Sequence, residues 1–371
     1  MLISQTTFLD EIFKLEKNKE KSEHIKITNI SYWNSSSAYK QYMEKFILLD
    51  FQQDIFDYTY TYDITKYQRL QIMKKLKALN PNDTMCLLSS SGTNSILNAV
   101  NYLKLHNYEK LAILLPSYYA VEQCCQIYNI AYEKVNMQYL NGQYEIPLKY
   151  LLEHYFDAVW LTSPVYSTGI SYNNCQINDI KKLITNNILV IADETLAMPN
   201  QMLIRKIPIN DYFFSICCPH KPLFINKMKF SAFICPKKND DFLEQWVDIL
   251  SGSLLFSNLM AIQHFLSDNF NECIKAAQHW YKNTINEVCH TVQQFPGILY
   301  NLDETGPYKT IYLTTPGIEI EKLDNINSLI VRDYISYIPL KFNGYGGFRI
   351  NLSLNPADLS NALYRILKFY T

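Results

Sequence analysis

Short apolar runs alternate with amphipathic stretches through the middle of the chain, and this spacing predicts strand, turn and helix in repetition. Met85–Ser89 precedes the helix-like "NSILNAVNYLKLH", and Leu111–Leu115 precedes "YAVEQCCQIYN". Ala158–Thr162 precedes a loop and then "INDIKKLITN"; Ile188–Ala192 and Tyr212–Cys217 follow. Runs that are apolar at every position suit strands buried on both faces, so the pattern predicts an α/β domain with a mainly parallel sheet. Two long helical patterns come next, "NDDFLEQWVDILSG" and "NLMAIQHFLSDNFNECIKAAQHWYKNTINEVCHTVQQF". The last hundred residues or so change character. "KTIYLTTPG", "LIVRDYISYIPL" and "FRINLSL" read as strands of a smaller α+β domain, closed by the helix "ADLSNALYRILKFY". The expected division is a large α/β domain over 45–275, with 1–44 and 276–371 forming the small domain.

Ligands of parallel α/β sheets bind at the carboxyl ends of the strands, so the residues following each apolar run are the candidates for chemistry. In chain order they are Ser89-Ser90-Ser91-Gly92-Thr93, Pro116-Ser117-Tyr118, Ser163-Pro164-Val165-Tyr166-Ser167-Thr168-Gly169, Asp193-Glu194 and Cys218-Pro219-His220-Lys221. The fourth group poses a physical question. Two adjacent carboxylates end a buried strand, and burying a carboxylate costs several kcal/mol unless a positive group meets it.

Composition narrows the classes. The 371 residues suffice for a large core and a second domain, with 48% hydrophobic and 19% charged residues. Lysine plus arginine is 34 against 35 acids, a net charge of −1, which gives no reason to expect nucleic acid or an anionic membrane as partner. No run has the length of a membrane span, and the N-terminal stretch lacks the features of a signal peptide. Nine cysteines, two pairs of them adjacent in sequence and none in Cys-x-x-Cys, point to reduced thiols and a cytoplasmic location. The seven histidines show no metal-ligand spacing, and no Gly-x-Gly-x-x-Gly or Gly-Lys-Ser/Thr loop is present.

The ordered set of strand-end residues resembles the fold type I enzymes that use pyridoxal 5'-phosphate (PLP), specifically the class I/II aminotransferase superfamily. The resemblance spans residues 60–355 and rests on order and spacing together. It implies a homodimeric enzyme acting on an amino-acid or keto-acid substrate, with Lys221 as the lysine that forms the Schiff base with PLP and moves the Cα proton. Lys227 and Lys229 are its rivals for that role. Asp193 matches the acid that pairs with the pyridine nitrogen, so a pyridinium is the expected partner for the buried carboxylate; a salt bridge or helix cap is the plainer alternative. Glu194 commonly follows that acid and has no expected chemical role. Ser91, Gly92 and Thr93 match the turn that holds the phosphate at a helix N-terminus, although taken alone an ordinary N-cap is the commoner explanation. Lys229 stands where an arginine usually binds the phosphate, keeping the charge without the bidentate fork. Cys218 occupies a position often held by a phosphate-contacting serine. Tyr118 matches the aromatic that stacks on the cofactor ring, and Tyr62 the tyrosine that reaches the phosphate of the neighbouring subunit, which implies shared sites. Arg349, in "GGFRINLSL", matches the arginine that clamps the substrate α-carboxylate. Gly344, Gly346 and Gly347 before it would let backbone approach a ligand.

Departures from the family pattern are informative. "SPVYSTG" replaces the usual Asn-Pro-x-Asn-Pro-Thr-Gly, placing Tyr166 where an asparagine bonds the cofactor's phenolic oxygen. Leu196 replaces a tyrosine that bonds the same oxygen. Tyr166 is therefore the candidate to supply the lost hydrogen bond and to tune the reaction. His220, directly before Lys221, is a second acid/base or a packed core residue. Transamination is the leading reaction. A PLP-dependent oxidase or hydroxylase, lyase or decarboxylase on the same scaffold is the alternative, because "HKPLFINKMKFSAF" and the "SSS" turn look like the subgroup that oxidises amino acids with dioxygen. The departures suit a specialised biosynthetic enzyme. A degenerate scaffold that only binds a ligand or partner is the third reading.

Overall fold

The computed structural model describes residues 28–31, 34–47, 64–77, 84–140, 142–166, 168–237, 249, 254–301, 306–313, 335–336, 338–342 and 345–370. Its centre is a seven-stranded sheet built from β1 (Thr84–Ser89), β2 (Lys110–Leu115), β3 (Ala131–Asn136), β4 (Ala158–Thr162), β5 (Leu189–Glu194), β6 (Phe213–Cys217) and β7 (Ser231–Pro236). The strand order is β1-β7-β6-β5-β4-β2-β3. Pairings among β3, β2, β4, β5 and β6 are parallel, whereas β7 runs antiparallel to both β1 and β6. Every residue of β1, β4, β5, β6 and β7 is buried, as expected of strands covered on both faces.

Alternation along the strands supplies two cores. In β1, Met85 and Leu87 join one apolar cluster while Cys86 and Leu88 join the other. Helices α3 (Gly92–Leu105) and α4 (Tyr119–Tyr128) cover the first face through Ile96, Ala99, Val100, Val121 and Cys125. The opposite face receives Ile177, Ile180 and Leu183 from α6 (Asn174–Thr185), and residues of α7 (Phe256–Leu266) and α8 (Asn269–Val292). The Asn173 side chain opens α6 in a capping box with Gln176. Helices α1 (Ser37–Glu44), α2 (Lys66–Leu76) and the short α5 (Leu148–Glu153) complete this part of the chain.

A second, four-stranded antiparallel sheet contains β8 (Ile298–Asn301), β9 (Tyr308–Leu313), β10 (Ile338–Phe342) and β11 (Tyr345–Asn351), in the order β8-β9-β11-β10, followed by α9 (Pro356–Tyr370). The N-terminal segment lies along this sheet. Ile30 O accepts from Asn351 N at 2.7 Å, Asn34 O from Asn351 Nδ2 at 3.0 Å, and Ser36 N and Oγ both donate to Ser353 O. Ile30, Asn34 and Ser36 are thus stitched to Asn351 and Ser353. The boundary drawn at 275 falls inside α8, a continuous 24-residue helix.

Three elements differ from the pattern read in the sequence. β5 extends through both carboxylates, so Asp193 and Glu194 belong to the strand. The long pattern from Asn258 is two helices, broken where Ser267 turns extended, donates its hydroxyl to His264 O at 2.7 Å and accepts Lys75 Nζ at 2.6 Å. β7 lies within the stretch after Lys221 that the periodicity left without an element. Most of "NDDFLEQWVDILSG" and part of "LIVRDYISYIPL" lie outside the described residues.

Candidate active site

The carboxyl ends of β1, β4, β5 and β6 meet, and the antiparallel β7 adds the residues that precede it. Ser231 pairs with Ser89, so Lys229, two residues earlier, is delivered beside the end of β1. Ser91 caps α3: its hydroxyl accepts from Asn94 N at 3.3 Å and donates to Asn94 Oδ1 at 2.5 Å. Gly92 begins the helix, and a Cβ there would lie 2.9 Å from Thr195 Cγ2. That contact sets the N-terminus of α3 directly against the turn following Asp193. Thr93 acts to lower the pKa of the Tyr118 phenol, against the larger rise caused by burial.

Asp193 is 3% exposed. Its Oδ1 accepts from Thr195 N at 3.1 Å, and no lysine or arginine among the described residues is within ion-pair distance of it. Burial pushes its carboxyl above the ordinary aspartate range, against the opposing pull of Thr195 and Lys221. Lys221 opens a short 3-10 turn, Lys221–Leu223, whose first amide donates to Cys218 O at 3.0 Å. Burial lowers the basicity of its amine, while Cys218 and Asp193 act to raise it. The amine lies 5.7 Å from the centre of the Tyr118 ring. Cys218 is fully buried, and both Lys221 and Lys229 act on its thiol electrostatically, although burial wins and raises its pKa. Cys218, Lys221, Lys229 and Asp193 are therefore one cluster.

Tyr166 follows β4, its amide held by Thr162 Oγ1 at 3.1 Å, and its ring is 5.8 Å from that of Tyr118. Arg349, on β11, is fully buried. It donates through Nη2 to Ser31 O at 2.7 Å, and its Cζ lies 4.6 Å from the centre of the Tyr308 ring. Burial presses its guanidinium toward neutrality, and the Tyr308 and Tyr166 phenols favour the charged form. Arg349 in turn acts on Lys221, so the small sheet and the strand ends face one space. The two are also in direct contact: Gly169 has a φ of +72°, its missing Cβ would lie 2.0 Å from Tyr308 O, and Lys309 Nζ donates to Gly169 O at 3.4 Å.

The structure thus brings together Ser91, Gly92, Thr93, Tyr118, Tyr166, Asp193, Cys218, Lys221, Lys229 and Arg349. Lys227 is exposed, and Leu196 is packed against the apolar core. Tyr62 and Gly344 lie outside the described residues. Gly346 and Gly347 sit in β11 opposite Leu313 and Tyr312. Ser31, Thr195 and Tyr308 were not singled out from sequence: none carries a local signal that separates it from other serines, threonines and tyrosines.

Glu194 and His220 find purely structural partners. Glu194 Oε1 accepts from Leu203 N, and Oε2 accepts from Ile204 N at 3.2 Å and Ser215 Oγ at 2.7 Å, while burial holds its pKa at about 7. His220 lies buried between Phe230 and Phe270, with Nε2 3.2 Å from His264 Nδ1. It is the packed residue of the two readings. Burial pushes His220 well below the ordinary imidazole range and His264 to about 4. These groups have opposite pH signatures. Glu194, more basic folded than unfolded, contributes stability that is complete below its ordinary 4.5 and is lost as the pH rises through about 7. The histidines contribute stability that is complete above 6.5 and is lost as the pH falls toward about 4. The Glu194 and His264 shifts are each worth about 3 kcal/mol at their limits, so across the shared window these two offset one another. Glu194→Gln, which sets an amide N–H2 where one of the two accepting oxygens stood, against at least one backbone N–H donor, is expected to cost about 1–3 kcal/mol and to steepen the acid loss of stability. Urea unfolding of both proteins at a series of pH values between 4.5 and 8 checks this; parallel profiles would refute the opposed signatures.

All nine cysteines are free thiols. Among the described residues no cluster of three His, Cys, Asp or Glu side chains is arranged to hold a metal ion, and no helix is long and apolar enough to cross a membrane.

No protein-family model matches the sequence, and no curated protein sequence matches it significantly. Solved structures do match. Aspartate aminotransferase from Thermus thermophilus superposes with a TM-score of 0.75 at 12% identity, covering 96% of this chain and 94% of that one. YbdL from Escherichia coli, a protein with a methionine aminotransferase function, gives 0.74 at 11% identity over 94% of each chain. The PLP-bound C-S lyase from Staphylococcus hominis gives 0.70 at 15% identity over 93% of this chain and 92% of that one. At full length and with a mainly parallel sheet carrying one antiparallel strand, the chain has the fold type I architecture that these aminotransferases and C-S lyases share.

Proposed function

We propose that this chain is a PLP-dependent enzyme acting at Cα of an amino acid, with transamination as the reaction. The observation that carries the reading is the pairing of a desolvated Asp193 carboxylate, lacking an ion-pair partner among the described residues, with the weakened amine of Lys221 beside the Tyr118 ring. The donor set fits the cofactor. A pyridine nitrogen protonated by contact with Asp193 relieves the buried carboxylate; the N-terminus of α3 with Ser91, Thr93 and Lys229 suits a phosphate dianion; and Tyr118 presents a ring face. When bound, PLP would supply an aldehyde carbon that condenses with Lys221 Nζ, releasing water, and a ring that withdraws electron density from substrate Cα.

The residues of the chain do the rest. Asp193 keeps the ring nitrogen protonated. With PLP held, the amine of Lys221 would be the general base that takes the proton at Cα and gives it back to the substrate or the cofactor. Arg349, its plane fixed by Ser31 O and the Tyr308 ring, holds the substrate α-carboxylate and so selects which Cα bond is aligned for cleavage. Tyr166 donates its phenol to the cofactor's phenolic oxygen in place of the family's asparagine. We further propose a homodimer in the cytoplasm, with Tyr62 reaching the partner's phosphate site, and a role in biosynthesis. The domain division at residues 45 and 275 is proposed with it. A second reading is cleavage at the substrate side chain, because C-S lyases share this fold over nearly the whole chain.

The test is the visible absorption spectrum of protein purified with PLP, beside Lys221→Ala. A band that borohydride bleaches, absent from the variant, is expected, with the label mapping to the peptide that contains Lys221. A featureless spectrum from a folded wild-type protein would sink the proposal. Amino acids then separate the reactions: transamination leaves the cofactor as pyridoxamine phosphate and needs a keto-acid acceptor, elimination releases ammonia without one, and oxidation consumes dioxygen.

A further inference from the structure

The turn that carries Lys221 is gripped from behind. Tyr281, on α8, donates its phenol to Pro222 O at 2.6 Å, and Tyr39, on α1, donates to Leu223 O at 3.1 Å. The two phenol oxygens are themselves 3.0 Å apart. Two protons serve three contacts, so one of the phenols divides its proton between a turn carbonyl and the other phenol oxygen. Both side chains are buried, and their rings stack at 5.9 Å with an interplanar angle of 6°. A fully buried hydroxyl that bonds only carbonyls of one turn, and another like it, has little purpose beyond fixing that turn.

The next residue supports this independently. Phe224 adopts a left-handed backbone, φ +57°, which bulky residues avoid. Such a conformation persists only where its surroundings determine it. Those surroundings are the same tyrosine and the Arg349 platform: the Phe224 ring lies 6.1 Å from Tyr39 and 5.4 Å from Tyr308. From α1 and α8, through Phe224 and Tyr308, one aromatic chain reaches both Lys221 and Arg349.

We infer that Tyr39 and Tyr281 are positioning residues that fix the Lys221 amine against Asp193 and Cys218 by holding the carbonyls of Pro222 and Leu223. As a statement about catalysis this rests on the proposed function; as a statement about the amine it does not.

The test uses the full-length protein and the variants Tyr281→Phe, Tyr39→Phe and Tyr172→Phe. The last removes a buried phenol that contacts only Met137 Sδ, at 3.7 Å, and serves as control. Competitive acetylation against pH, read by mass spectrometry on the Lys221 peptide, measures the pKa of the amine without PLP. Released from its desolvated position, the amine is expected to rise toward the ordinary lysine range by half a unit or more in Tyr281→Phe and Tyr39→Phe, about a threefold change in reactivity below its pKa. Tyr172→Phe is expected to match wild type. In PLP-loaded protein kcat is expected to fall about 10- to 100-fold in the two clamp variants with KM changed less. An unmoved amine in both clamp variants, or an equal shift in the control, overturns the inference. If one clamp variant fails to fold, the other decides. A wild-type amine that shifts in the clamp variants yet never links PLP would leave the clamp standing and remove the enzymatic reading; the reverse result removes the clamp alone.

Discussion

Gly169→Ala is expected to cost about 2–5 kcal/mol of folding stability, the sum of a positive-φ penalty and an overlap that no side-chain rotation relieves. The missing Cβ would sit 2.0 Å from the carbonyl oxygen of Tyr308 and 3.1 Å from its carbon, both backbone atoms. Relief requires that the loop after β4 and strand β9 part. Because Tyr308 supports the Arg349 guanidinium, the same displacement is expected to raise KM for the amino-acid substrate. Urea unfolding gives the first quantity and steady-state kinetics the second. A loss under about 1 kcal/mol would mean that loop and strand separate without penalty and that the two sheets are not coupled here.

Asp193→Asn is expected to separate stability from activity. In the cofactor-free protein the raised pKa of Asp193 means that its charge opposes folding at neutral pH. The isosteric amide removes that charge and accepts the same bond from Thr195 N, so stability is expected to hold or to increase by about 1–3 kcal/mol. Activity with PLP is expected to fall at least about a hundredfold, because a preorganised charge at the ring nitrogen is lost. Denaturation and kcat/KM on one preparation decide the matter. A variant both less stable and fully active would contradict the assignment of Asp193 to the cofactor. A residue that destabilises the empty protein and serves the loaded one is the usual signature of a functional group.

The buried parallel strands were legible because a strand covered on both faces must be apolar at every position, and few other segments are. β4 was read to the residue, and the strand-end residues followed from it. What escaped was direction and distance. Periodicity reports which face is buried but not whether a strand runs up or down, so β7, lying in a stretch dominated by the Lys221 motif, was unseen. Its antiparallel course is what delivers Lys229. The break between α7 and α8 depends on a serine that caps one helix while Lys75 claims its carbonyl, a tertiary contact with no local signature. The contacts of Arg349 are further still from local pattern, since Ser31 is 318 residues away. Of the twin carboxylates, Glu194 is satisfied by Ser215 and two backbone amides, whereas Asp193 accepts from the Thr195 amide and has no ion-pair partner among the described residues.

The hydrogen bonds of Ile30, Ser31, Asn34 and Ser36 to Arg349, Asn351 and Ser353 have a consequence for how the protein is made. A ribosome adds about 5–20 residues each second, so the strand that receives this segment emerges some 16–64 s after it. Throughout that interval Ile30 and the polar backbone around it have no partner, and the seven-stranded sheet is synthesised while they wait. The early segment is a natural client for a chaperone on the nascent chain, and the arginine site closes only once β11 has been made.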